Sequence, residues 1–149
     1  MALEQQLTSE IKNAMRAKDS LRLEALRAVK SAILLAKTQS GAAEELSEAQ
    51  EIQLLQKLVK QRKDSAAIFT EQNRADLAEP EKAQAAIISE FLPQQLTADE
   101  VEALVADIIA ETGASSMKDM GRVMGLANQK MAGQADGKTI STVVKQKLS

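Results

Sequence analysis

The segment Thr97 to Gly113, TADEVEALVADIIAETG, is the most informative one about the fold. Thr97 and Glu100 match a capping box, in which a hydroxyl and a carboxylate each accept a hydrogen bond from a backbone N–H at the start of a helix. Gly113 is typical of a helix C-terminus. Between them, apolar residues recur at a spacing of three and four, at Val101, Leu104, Val105, Ile108 and Ile109. The segment therefore predicts an amphipathic helix, which needs other helices to cover its apolar side.

The same spacing recurs on both sides of this segment. Towards the N-terminus it predicts helices over residues 3–18, 20–38 and 48–69, with a loop at 39–46. Asn73 is expected to cap a short turn, and Pro80 to begin the next helix, because proline suits the first helical turn. Towards the C-terminus, Ser115 or Ser116 is expected to start one helix, and Asp136 to cap the last. No segment alternates at period two for long, so the sequence predicts an all-α fold.

Pro93 marks a boundary, because proline disfavours helical geometry in the residue before it. Residues 94–96 are expected to act as a hinge. The sequence thus predicts two helical lobes. Residues 1–93 would form an N-terminal lobe of long antiparallel helices, and residues 94–149 a C-terminal small helical bundle.

Composition excludes several classes of function. The chain has no cysteine and no histidine, so it lacks thiolate nucleophiles and the usual imidazole base and metal ligand. We expect no metal and no cofactor. The first twelve residues, MALEQQLTSEIK, contain no long apolar run, so we expect no signal peptide, no membrane span and a cytoplasmic location.

Positive charge is concentrated after residue 115, where Asp119 and Asp136 are the only acidic residues. The candidate phosphate-contacting residues are Lys118, Arg122, Lys130, Lys138, Lys145 and Lys147. Alternatively, these side chains are ordinary solubilising charge, or they neutralise the predicted helix at 97–113, which has five acidic residues and no basic one. The sequence leaves these alternatives open.

A second basic stripe, Lys57, Lys60 and Lys63, lies on the third predicted helix. It is either a solvated face that pairs with carboxylates such as Glu51 or Asp64, or a further phosphate-contacting face. Arg22 and Arg62 fall inside apolar helix faces. Arg22 is expected to reach a carboxylate at the edge of the lobe or to lie along the surface, and Arg62 to make a structural ion pair.

Methionines and glycines make the C-terminal segment unusual. Spacing places Met117, Met120, Met124 and Met131 on one side of a helix, where they form either part of a core or an adaptable docking surface. Gly121 and Gly125 are one turn apart. Because glycine costs about 1 kcal/mol in a helix, they predict either the close approach of another backbone or a short helix.

Several motifs, in this order and spacing, resemble the YqeY family: KQRKDS at 60–65, NRADLA at 73–78, FLPQQL at 91–96, GASSMKDMGRVMG at 113–125 and GQADGKTI at 133–140. The C-terminal lobe also resembles the tail domain of GatB, the B subunit of the glutamine-dependent amidotransferase that amidates Glu-tRNA(Gln) or Asp-tRNA(Asn). The resemblance implies a two-lobe all-helical fold, and in the amidotransferase the tail lobe is an appendage that contacts tRNA.

The resemblance does not imply catalysis by this chain alone. The amidotransferase needs an ATP cradle and an ammonia-supplying subunit, and this chain has no glycine-rich phosphate loop after a strand. We therefore expect a tRNA-binding or tRNA-metabolism accessory protein without activity of its own, although its family is associated with carbon-nitrogen ligase chemistry. The alternative is an interaction module that docks on a protein of the translation or replication machinery through Met120, Met124 and Met131.

Overall fold

The computed structural model describes residues 2–39 and 45–149, which form seven α-helices and one 3-10 turn. The elements are α1 (Ala2–Ala17), α2 (Ser20–Gln39), α3 (Glu48–Glu71), α4 (Ala75–Ser89), α5 (Ala98–Thr112), η1 (Met117–Asp119), α6 (Met120–Lys130) and α7 (Gly137–Leu148). These ranges contain no strand, so the predicted all-α fold is confirmed. Of the loop predicted at 39–46, Gln39 belongs to α2, and residues 40–44 lie outside the described ranges.

The chain divides into two compact units, Met1–Leu92 and Pro93–Ser149. In the first unit, α2 packs against α1, α3 and α4, and α3 with α4 forms the most extensive helix pair. The core contains fully buried side chains from all four helices, among them Leu7, Leu26, Leu55 and Ile88. Because only two residues join α1 to α2, these packed helices run antiparallel.

Two helices of this unit end in the same motif, with a left-handed residue that is not glycine. Lys18 has φ 55° after α1, and Asn73 has φ 60° after α3. In each case two backbone N–H groups bond back to the last turn, from Asn73 to Thr70 at 3.1 Å and from Arg74 to Phe69 at 2.8 Å after α3. This is a Schellman ending. The prediction that Asn73 caps a short turn was therefore wrong, because its backbone ends α3, and the residue at the N-cap of α4 is Arg74.

Pro80 also lies elsewhere than predicted. It is inside α4, which begins at Ala75, and it does not start a helix. Proline has no N–H to donate to the carbonyl four residues earlier, which is that of Asp76. The rest of α4 continues through this position because its apolar side, with Ala78, Ala85 and Ile88 buried, packs in the first unit.

Arg22 and Arg62 differ in the hydrogen-bond acceptors that their guanidinium groups contact. The Arg22 guanidinium donates to Glu90 Oε2 at 2.8 Å and to Glu10 Oε2 at 3.0 Å, so its predicted carboxylate partner is confirmed. Arg62 donates instead to the Gln84 amide oxygen at 3.1 Å and to the Leu58 carbonyl at 3.3 Å. The predicted ion pair of Arg62 was therefore wrong. These two neutral oxygens accept hydrogen bonds from its N–H groups, so no buried carboxylate is needed beside it.

The second unit is a bundle of α5, α6, α7 and η1 around Val105, Ile108, Val123, Ile140 and Val144. The predicted capping box of α5 is confirmed by reciprocal hydrogen bonds of 3.2 Å between Thr97 and Glu100. The predicted hinge is not a free linker, because the Gln95 amide donates to the Gly133 carbonyl at 2.7 Å and the Leu96 N–H to the Gln134 carbonyl at 2.9 Å. Residues 95 and 96 are thus part of the bundle.

Candidate nucleic-acid interface

The six basic candidates of the C-terminal segment come from η1, α6 and α7. Ser116 caps η1 by accepting the Lys118 N–H at 3.4 Å, and Asp136 caps α7 by accepting the Thr139 N–H at 2.6 Å. Ile140, Val144 and Leu148 face the core of the unit. Lys138 and Lys145 are seven residues apart on α7, so both lie on one exposed flank, about 10 Å apart along the axis.

Two of the six candidates pair with the acidic helix α5. Lys130 Nζ lies 3.4 Å from Glu111 Oε2, and Lys147 Nζ lies 2.9 Å from Glu102 Oε1. These pairs correspond to the neutralising role that the sequence left open. A phosphate group at either lysine would have to compete with a carboxylate that is already in place.

Arg122 is also engaged within the unit. Its guanidinium donates to Asp119 Oδ1 and to the Thr112 carbonyl, both at 3.3 Å. The bond to Thr112 connects the first turn of α6 to the last residue of α5. The side chain is still 55 % exposed, and a guanidinium has five N–H donors, so donors remain for a further acceptor.

Lys118, Lys138 and Lys145 are the uncompensated members of the set. All three are exposed, and none makes an ion pair or a side-chain hydrogen bond with any residue that the structure describes. Lys118 belongs to η1, which packs against α7, the helix that carries the other two. The positive charge available to a polyanion is therefore concentrated on the η1 and α7 side of this unit.

The second stripe lies in the first unit. Lys57, Lys60 and Lys63 are exposed on α3, and Lys60 Nζ pairs with Asp64 Oδ2 at 2.9 Å. The pairing with Asp64 agrees with the solvated-face interpretation. Lys57 and Lys63 stay candidates for phosphate contact.

Of the three methionines predicted to form a docking surface, one is fully buried and two are partly buried. Met131 is wholly buried, and Met120 and Met124 are half-buried against the core of the second unit. Met117 is 45 % exposed, but it lies in η1, before α6 begins. Met131 therefore belongs to the core, and Met120 and Met124 are only partly accessible to a partner, so the structure favours the core interpretation of these methionines.

Gly121 and Gly125 lie on the solvent side of α6. A Cβ added at either position would meet no atom within 4 Å among the described residues. The predicted close approach of another backbone was therefore wrong, and the alternative of a short helix holds, since α6 has 11 residues.

Two other classes of site are absent from the described part of the chain. Residues 2–39 and 45–149 contain no group of three or more Asp or Glu side chains that could hold a metal ion. No helix in the same ranges is long and apolar enough to cross a membrane.

Comparisons with known proteins found similar sequences. A family model described as Yqey-like protein matches residues 4–148. The Lachancea thermotolerans protein named "Altered inheritance of mitochondria protein 41, mitochondrial" is 37 % identical over 112 residues, 74 % of this chain and 59 % of that protein. A glutamyl-tRNA(Gln) amidotransferase subunit of Thermococcus gammatolerans is 36 % identical over 73 residues, 46 % of this chain and 12 % of that protein.

Proposed function

The chain belongs to the YqeY-like family, and on this basis we propose that it is a tRNA-binding accessory protein without catalytic activity of its own. The observation that carries the proposal is the set of three exposed, uncompensated lysines, Lys118, Lys138 and Lys145, on one unit. Phosphate groups of a nucleic acid are suitable partners for such side chains, because each contact releases a condensed counterion. Arg122 adds a partly engaged guanidinium to the same unit.

The composition of the second unit favours folded RNA over single strands. Residues 93–149 contain no aromatic side chain, since both phenylalanines of the chain, Phe69 and Phe91, come before residue 93. Binding of single-stranded RNA depends largely on stacking of bases on aromatic side chains. A surface of lysines without aromatics instead recognises the backbone and shape of a folded RNA.

The archaeal relative supports the choice of tRNA among folded RNAs. Its name describes a subunit of an enzyme that acts on glutamyl-tRNA(Gln), and this chain is similar to only 12 % of it. We infer that the shared segment contributes RNA binding and not the amidation chemistry. A protein partner in translation is likewise a proposal. The predicted cytoplasmic location is also a proposal, because the fungal relative is named as mitochondrial.

The test is tRNA binding to the full chain as a function of salt. We expect affinity to fall steeply between about 50 and 200 mM salt, with a slope proportional to the number of phosphate contacts. The double variant Lys138→Glu/Lys145→Glu should bind at least about tenfold more weakly, and its salt slope should be smaller by about two.

The matched control is Lys12→Glu/Arg16→Glu, which makes the same change of net charge at two exposed basic residues of α1 that are not phosphate-contact candidates. We expect it to bind tRNA nearly as well as the unchanged chain. Affinity that does not respond to salt, or an equal loss in both double variants, would contradict a phosphate-binding surface on η1 and α7.

A further inference from the structure

A small groove lies between α1 and α2 in the first unit. Its volume is 90 Å³, and its lining is mainly apolar, with Leu7, Ile33 and Leu34. Leu7 and Ile33 are buried, whereas Leu34 is 54 % exposed. The floor of the groove is thus the core of the unit, and one wall is a leucine that is open to solvent.

The size of the groove limits its occupant. A cavity of about 150 Å³ holds one benzene molecule, so 90 Å³ accommodates a single aliphatic side chain and no extended acyl chain. The Thr8 hydroxyl at its edge already donates to the Glu4 carbonyl at 2.9 Å. The groove is therefore suited to one apolar side chain that makes no directional hydrogen bond.

Of the charged residues at the groove, two cations of α2 have no acidic partner among the described residues. Glu4, at one end, is paired with Lys37. Lys30 lines the groove and Arg27 precedes it by one turn; both are exposed, and neither makes an ion pair with a residue in the described ranges. Side chains three residues apart on a helix are neighbours. The rim thus offers two adjacent cations.

We propose that this groove binds an acidic amphipathic helix of a partner protein. One apolar side chain of the helix enters between Leu7, Ile33 and Leu34, and carboxylates one turn away pair with Arg27 and Lys30. Helices that dock in grooves present side chains at this three-and-four spacing. Charge complementarity selects an acidic helix over a basic one, and the apolar lining selects a polypeptide over a nucleic acid.

The test uses the full chain and a synthetic probe, an acetylated, fluorescein-labelled helical peptide with leucines on one face and glutamates beside them. We expect binding by fluorescence anisotropy with a Kd of about 0.1 mM, as befits a small interface. Amide chemical shifts of Thr8, Lys30 and Leu34 should change on titration. Lys30→Glu should weaken binding about tenfold, because it replaces an attraction by a repulsion.

Exchanging the charges of peptide and protein distinguishes binding in the groove from non-specific binding. A second peptide, with lysine at every glutamate position, should bind the unchanged chain poorly and the Lys30→Glu variant better. Lys82→Glu is the matched control, because it reverses an exposed lysine on α4, and it should leave binding of the acidic peptide unchanged. Circular dichroism would verify that each variant is folded.

Several outcomes would overturn the proposal. One is no chemical-shift change at the groove with about 1 mM acidic peptide. Others are equal binding of both peptides, binding to phosphatidylglycerol vesicles without binding to the peptide, and a dimer of the chain that Leu34→Asp dissociates. The last two would assign the groove to a lipid surface or to a second copy.

Discussion

Replacing Arg22 by glutamine is expected to destabilise the first unit through the loss of one charged network. The guanidinium lies between α1, α2 and the residue after α4, and it contacts Glu10 at 3.0 Å and Glu90 at 2.8 and 3.3 Å. Glu90 and then Glu10 raise the pKa of Arg22 above its ordinary value by accepting its hydrogen bonds. The network therefore connects three parts of the chain that are distant in sequence.

The expected loss of folding free energy depends on how exposed the three side chains of the network are. Hydrogen bonds to charged groups contribute about 1.5–3 kcal/mol, and exposed ion pairs about 0.2–1 kcal/mol. Arg22 is 24 % exposed, Glu10 32 % and Glu90 52 %, so the network falls between these limits. Since the substitution also leaves two carboxylates without their cation, we expect Arg22→Gln to cost about 2 kcal/mol.

Hydrogen exchange detected by mass spectrometry measures this effect in one unit at a time. Peptides from α2 and α4 should exchange about 30-fold faster in Arg22→Gln, since each 1.4 kcal/mol corresponds to about a factor of ten. Peptides from α5 are the internal reference. A double-mutant cycle with Glu90→Gln should give a coupling energy of about 1 kcal/mol between the two side chains.

Arg74→Gln is the matched control. Arg74 makes a similar two-bond contact with Asp76, at 3.1 and 3.0 Å, but both side chains are exposed and only two residues apart. Exchange in α2 and α4 should not change in this variant. If Arg22→Gln exchanged no faster than Arg74→Gln, a bridge between distant segments would be worth no more than a local surface pair, and the reasoning would be refuted.

Two further predictions concern backbone geometry and pH. Gly125→Ala should stabilise the chain by about 0.5–1 kcal/mol, because the site is helical and open to solvent. Gly113→Ala should destabilise it by about 1–2 kcal/mol, because the φ of Gly113 is 68°. Urea denaturation followed by circular dichroism measures both changes, and a Gly125→Ala variant less stable than the unchanged chain would contradict an open site on α6. Burial, followed by the charge of Glu4, raises the pKa of Glu51, so the folded state holds this proton more tightly and loses stability as pH rises through that raised pKa. Glu51→Gln should therefore stabilise the chain at pH 7 and make no difference near pH 3, and an equal gain at both values would contradict this cause.

Local signals in the sequence predicted the helices and most of their ends. The capping box at Thr97, the Asp136 cap and the Gly113 ending are all confirmed. Each depends on residues within about four positions of one another, and such contacts can be inferred from spacing alone. Among the predictions that were wrong, those at Asn73, Pro80 and Arg62 concern positions where packing or the end of another helix determines the outcome.

The composition of the candidate interface was likewise predictable, but its charge balance was not. The sequence identifies six basic residues after 115. Helix packing pairs Lys130 with Glu111 and Lys147 with Glu102, residues 19 and 45 positions away, and leaves Lys118, Lys138 and Lys145 without partners among the described residues.

The physical reason is the range of each interaction. Helix formation and capping depend on hydrogen bonds within one or two turns, so the order of residues determines them directly. Ion pairs such as Arg22 with Glu90, 68 residues apart, form only after helices have packed in one particular register. Thus the amino-acid order determines which residues carry charge and which helix each belongs to, and the packing of those helices selects the charges that stay available for a partner.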